Sequence, residues 1–406
     1  MRWNWYLRLS ALSFFIIACM GLLMRAKVVF EMPWVVQKHV QLAHAFFAFN
    51  GWVSFTLLWL LWYRLEKKYG IQPKGRMVLL FGHYTLSIGL LGTYLLHGMS
   101  YWSFVVETLL FAWMLGHGWS MLRAVNAQPN TQAVRLWLWP AWIFQWLGSA
   151  GMMFLFWHYL HRSLSMSHYL SGFYSYLHYQ YNGWFLFAAL SLLTAGWEFK
   201  NIQPRKALSM ALVLLSFTGV LLSLLWRDLP LPLYALAIGV ALAQLLVWLR
   251  WCSLHWEQLK LTFKQLPSPF RWLFALSGAA LLARMSLQLL STVPQLEQAA
   301  FSFRAIVIAY LHLVLLGIFS SFLFFWLLQQ GWIAVNKLSK AWIWSFILAF
   351  MGTELLLGAQ GTAAFAYLQI PFATELVLGI SGLFPVSGLL LMYLTWLRKP
   401  HPLVGH

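Results

Sequence analysis

Apolar runs of about 20 residues recur along the whole chain between short polar breaks, and each could cross a hydrocarbon core of about 30 Å as a helix. The pattern predicts spans near residues 6–24, 39–63, 77–97, 102–122, 136–158, 173–197, 207–226, 231–251, 270–290, 304–328, 340–360 and 374–397. A backbone in lipid must satisfy its own hydrogen bonds, so uninterrupted runs mean helices, whereas barrel strands would show short alternating segments. The expected fold class is all-α, a polytopic membrane bundle of about twelve transmembrane helices. No polar stretch exceeds about twenty residues, so residues 1–406 are expected to form a single integral membrane domain.

Composition agrees: 61% of residues are apolar, 18% aromatic and only 9% charged, against about 25% charged in soluble domains. A net charge of +18 would suggest nucleic acid in a soluble chain. Here the Lys and Arg sit in short loops, twenty of the 27 on the side of the chain termini and seven on the other. By the positive-inside rule both termini are cytoplasmic, as expected in a bacterial inner membrane, with lipid as the first partner and no nucleic acid. Arg2 and Arg8 before an apolar core, with Ile16-Ile17-Ala18-Cys19, loosely imitate a cleaved lipoprotein signal; the core continues through Leu22, Leu23 and Met24, which favours an uncleaved first helix. Cys19 and Cys252 lie in or at the end of different spans and suit neither a CxxC site nor a disulfide framework.

Internal repetition carries more information. Ala43-His44-Ala45 leads to Asn50-Gly51-Trp52, Tyr176-Leu177-His178 to Asn182-Gly183-Trp184, and Tyr310-Leu311-His312 to Gly317. These segments open spans two, six and ten, and 134 residues separate each histidine from the next. The chain therefore divides into three pseudo-repeated four-helix units of roughly 1–130, 131–265 and 266–406. One discordance stands: His44 lies seven residues before its glycine and the others five, a rotation of about 160° on an α-helix.

An ionisable side chain inside a membrane is costly, which makes His44, His178 and His312 functional candidates. A neutral imidazole is an effective axial ligand for haem iron, and facing helices can supply two without a local motif. Glycine lets a flat macrocycle approach the backbone, and tryptophan can pack on its face. The competing role for these histidines is hydrogen bonding between helices, with glycine as a packing site.

Twelve spans in three units, with a histidine on the second helix of each, resemble the catalytic subunit of haem-copper oxidases and nitric oxide reductases. The histidine followed by Gly-Trp also resembles the NnrS family of haem- and copper-containing membrane proteins. The resemblance implies His44 and His312 as ligands of a bis-histidine haem, His178 as a ligand of copper or a second haem, and a quinol or cytochrome as electron donor, with partner subunits. The sequence departs from the oxidase pattern where Tyr310 replaces the reactive-haem histidine. It departs again where Tyr179-Gln180-Tyr181-Asn182 follows His178, and where span seven has no His-His pair. A standard oxygen-reducing centre is therefore not expected.

Other residues supplement this reading. Of the arginines near the outer surface, Arg25, Arg284 and Arg304, the expected partners of haem propionates are Arg25 or Arg284, with snorkelling as the alternative. His158 and His161, spaced i, i+3, could bind metal beside His97 and His168, or simply face water and headgroups. His83 and His117 lie toward the cytoplasmic ends of spans three and four and could face each other, while Glu107, Glu354 and Glu375 are the carboxylates available for proton movement. Two other functions compete with a redox protein: a secondary transporter, which predicts related halves rather than thirds, and a non-catalytic haem- or nitric-oxide-binding or assembly protein. No P-loop, dinucleotide fingerprint or serine nucleophile elbow is found.

Overall fold

The computed structural model describes residues 2–163, 165–195, 197 and 203–396. Residue 196 of the sixth expected span, residue 397 of the twelfth, and the charges at Lys200, Arg398 and Lys399 lie outside the described residues. Fourteen helices follow in order: α1 (Arg2–Val29), α2 (Gln37–Tyr69), α3 (Arg76–His97), α4 (Tyr101–Asn126), α5 (Gln132–Leu160), α6 (166–194) and α7 (Gln203–Thr218, prolonged by a 3-10 turn over Gly219–Ser223). Then come α8 (Leu231–Leu254), α9 (Trp256–Lys264), α10 (Trp272–Leu290), α11 (Pro294–Ser302), α12 (Arg304–Gln329), α13 (Lys337–Phe365) and α14 (Ala373–Trp396). The described residues contain no strand.

Among the described residues nine helices are long and apolar enough to cross a membrane: α1, α2, α3, the α7 segment, α8, α10, α12, α13 and α14. The remaining expected spans fall on α4, α5 and α6. The first two have 26 and 29 residues, long enough to cross, but these helices carry more Trp, Tyr and His, residues suited to the membrane interface. With nine residues each, α9 and α11 are too short to span. Local signals set several ends: Gly70 closes α2 in the left-handed conformation (φ 67°), and Asn336 with Ser339 forms a capping box at the start of α13.

Sequential helices pack side by side, and α14 closes the circuit against α1. The second helix of each proposed unit, α2, α6 and α12, lies inside, and the three touch one another. Over its most apolar stretch α2 is 94% buried, compared with 33% for peripheral α1.

Each central helix changes winding next to its histidine. Wider π turns occupy Ala48–Ser54, Gln180–Phe185 and Leu313–Ser320. Such turns disturb the i→i−4 ladder and leave carbonyls for side chains to satisfy. Asn50 Nδ2 donates to the Phe46 carbonyl (3.1 Å), Ser277 Oγ to that of Ile318 (2.8 Å) and Ser320 Oγ to that of Leu315 (2.8 Å). The same turns join the helices: Trp52 Nε1 donates to Ser320 Oγ (2.9 Å), tying α2 to α12, and Trp184 Nε1 to Ser54 Oγ (3.0 Å), tying α6 to α2. A third such link is chemically impossible, because the corresponding positions are Ile318 on α12 and Leu186 on α6.

Candidate functional site

Packing changes along the central helices. From the π turns toward the N-terminal side of the bundle, the side chains are sealed. Residues 55–62 of α2 and 322–328 of α12 are all buried, as are 186–194 of α6. In the other half, none of Arg304–His312 is buried, and only 44% of the most apolar stretch of α12 is buried although the helix is central. Residues 21–27 of α1 and 169–175 of α6 are likewise only half-buried. These segments are less completely enclosed than the sealed stretches of the central helices.

His44 and His312 lie in this partly enclosed region. The His44 ring packs against α1, where Nδ1 lies 3.1 Å from the Ile17 carbonyl. That contact assigns the proton to Nδ1, since a carbonyl only accepts, and leaves Nε2 with a free lone pair. Gly21 makes room for the ring: a Cβ there would stand 3.3 Å from His44 Cε1. On α12, His312 Nδ1 lies 3.9 Å from Glu354 Oε1 of α13, with both side chains still partly accessible at 26% and 16%. Among the described residues no protein group bonds Nε2 of either histidine, and neither Nε2 is sealed off. Arg25 and His44 both fall within electrostatic range of His312, and Arg304 within range of Arg25. Among the described residues, Arg76 with Glu66 is an ion pair, and His312 lies beside Glu354 without a hydrogen bond. Arg25 and Arg304 thus lie within electrostatic range of each other, and among the described residues no carboxylate pairs with either.

His178 is held differently. It is fully buried, with Nε2 2.8 Å from the Ser216 carbonyl and Nδ1 2.9 Å from Asn182 Nδ2. Ser223 Oγ adds a weaker contact at 3.4 Å. Both ring nitrogens are thus engaged, and the metal-ligand role expected for His178 would require breaking one of these bonds. Arg284, expected beside a haem propionate with Arg25, lies instead in electrostatic range of His178, Tyr181 and Tyr310. It is 1% exposed, and its Nε has no partner. The rings of Tyr181 and Tyr310 are 6.2 Å apart. The structure therefore separates His44, His312 and Arg25 from His178, Arg284, Tyr181 and Tyr310.

The outer histidines form no cluster. His158 Nδ1 contacts Ser163 Oγ (2.5 Å), His161 Nδ1 the Trp157 carbonyl (2.8 Å) and His168 Nδ1 Ser165 Oγ (2.7 Å). His97 is exposed. No group of three or more His, Cys, Asp or Glu arranged to hold a metal ion occurs among the described residues. His83 and His117 do face each other, with rings 5.9 Å apart and perpendicular, and both are fully buried. His83 Nε2 is 3.0 Å from the Asn50 carbonyl, which ties it to the first π turn. Glu107 is buried with an unpartnered Oε2, and Glu375 opens α14.

His44, His312, Arg25 and Glu354 were each singled out by the sequence, whereas Gly21 and the Ile17 carbonyl were not. A glycine in the outer third of an apolar first span was the available signal. No protein-family model matches this chain, and no curated protein matches it either.

Proposed function

We propose that this chain is a haem-binding redox protein of the membrane, with twelve crossings, cytoplasmic termini and a bacterial inner-membrane location. His44 and His312 would supply imidazole nitrogens to the haem iron. The observation that carries the reading is that two imidazoles within electrostatic range of each other, His44 and His312, have unpartnered Nε2 atoms in a partly enclosed half of the bundle. A ligating histidine ordinarily donates its other N–H to a carbonyl or carboxylate, which fixes the tautomer and raises basicity. The Ile17 carbonyl does this for His44, and Glu354 is placed to do so for His312 after a small closure from 3.9 Å. Arg25 and Arg304 suit the two propionates, whose charge would relieve the repulsion between these arginines.

When bound, the haem would supply reversible one-electron transfer at iron. The protein's own residues orient the imidazoles, exclude bulk water through the sealed half, and hold a carboxyl at Glu354 beside the ligand. With both nitrogens of His178 engaged, copper is not part of this reading, and the reaction class is electron transfer from a quinol or cytochrome. The likeness to haem-copper oxidases and to the NnrS family supports the haem and leaves the electron acceptor unassigned.

The test is a reduced-minus-oxidised absorption spectrum of the protein purified after expression with ample haem. The reading predicts the bands of a six-coordinate, low-spin bis-histidine haem at about one per chain. A folded protein that takes up no haem under these conditions would contradict it and favour a transporter. Bound haem that cannot be reduced by quinol or by a cytochrome would favour a binding or assembly role.

A further inference from the structure

The missing third link between the central helices opens onto a cavity of about 630 Å³, lined by Leu186 and Ile318 together with Leu190, Trp251, Phe274 and Gly278. The lining on α10 runs from Trp272 to Leu282, a rise of about 15 Å at 1.5 Å per residue, which is half of a hydrocarbon core of about 30 Å. The cavity is thus one leaflet deep. Its mouth lies under α9, whose Lys260 and Lys264 stand one turn apart on the rim and are both exposed. Neither lysine has an ion-pair partner among the described residues. The nearest acid in sequence is Glu257, at the start of the same helix. Arg271 adds a third cation beside the mouth: its guanidinium lies over Phe263 (5.4 Å) and Trp272 (5.9 Å), and its Nε is buried without a partner.

We propose that this cavity is a binding site for an acidic phospholipid of the leaflet on the N-terminal side of the bundle, with an acyl chain against Leu186, Ile318 and Phe274 and the phosphate at Lys260 and Lys264. An apolar slot one leaflet deep with cations only at its mouth matches such a lipid in both length and charge. The site is independent of the haem. It lies in the opposite half of the bundle from His44 and His312, so the two readings fail separately.

The test uses the full chain in nanodiscs of mixed phosphatidylglycerol and phosphatidylcholine, followed by native mass spectrometry of the lipid that remains bound. Gly278 lines the cavity, and a Cβ there would meet nothing within 4 Å, so Gly278→Trp fills the slot from within without a backbone clash. The wild type should retain phosphatidylglycerol in preference to phosphatidylcholine by roughly 25-fold, at about fivefold per interfacial lysine. Lys260→Glu/Lys264→Glu should abolish that preference, and Gly278→Trp should lose the bound lipid while keeping the lysines. Equal retention of both lipids by the wild type, or a preference unchanged by the lysine pair or by Gly278→Trp in variants of normal helical content, would overturn the proposal.

Discussion

The two halves of the central helices are built by opposite rules. On the N-terminal side, Trp59, Trp62, Trp184 and Phe325 are wholly or almost wholly enclosed, and indole donors lock α2 to both other central helices. On the far side, His44 and His312 are partly exposed with unpartnered Nε2 atoms, and Arg25 of α1 and Arg304 of α12 pair with no acid among the described residues. Close packing is the ordinary state of a protein interior, and voids forfeit dispersion energy. The observed contrast is one of polar satisfaction: indole–hydroxyl bonds join the central helices at the π turns, whereas the imidazoles beyond them keep nitrogens that a bound group could use.

Substitutions can break or sharpen this contrast. The largest stability loss is expected for Trp184→Ala, about 3–5 kcal/mol for emptying a fully buried indole site, read as a lowered unfolding midpoint in detergent. Gly183→Ala comes next. Its Cβ would stand 2.4 Å from Phe144 Cβ, an atom fixed to its own backbone, so overpacking should cost about 1–3 kcal/mol. Ser54→Ala removes the acceptor of the Trp184 indole and should cost about 1–2 kcal/mol for the unpaired buried N–H. In the loose half the expected stability effect is smallest: Gly21→Ala should change the unfolding midpoint of haem-free protein by about 0.5 kcal/mol or less. It should still alter the haem spectrum, because the methyl meets His44 Cε1 at 3.3 Å. A Gly21→Ala effect on stability as large as that of Gly183→Ala would erase the distinction between the halves.

The helices were legible because twenty-residue apolar runs admit little else in lipid. Crossing by α4, α5 and α6 was less distinct, since Trp and Tyr serve both cores and interfaces. The three histidine segments were legible as a repeat, and α2, α6 and α12 do meet at the centre. The π turns were not. The 160° offset of His44 assumes uniform α-helical rotation, whereas part of the chain between each histidine and its glycine is π-wound, so sequence spacing does not translate into direction. His44 and His312 come within electrostatic reach of each other, while His178 turns to Ser216 and Asn182. The pairing of Arg284 with Tyr181 and Tyr310 was also hidden, because residues distant in sequence and on three helices announce no motif.

The most direct test is haem content per chain across a histidine series prepared under one protocol. Wild type and His178→Ala should both hold about one low-spin haem per chain, whereas His44→Ala and His312→Ala should each lose it or convert it to a five-coordinate form. Full low-spin occupancy in His44→Ala or His312→Ala, or loss confined to His178→Ala, would contradict the account.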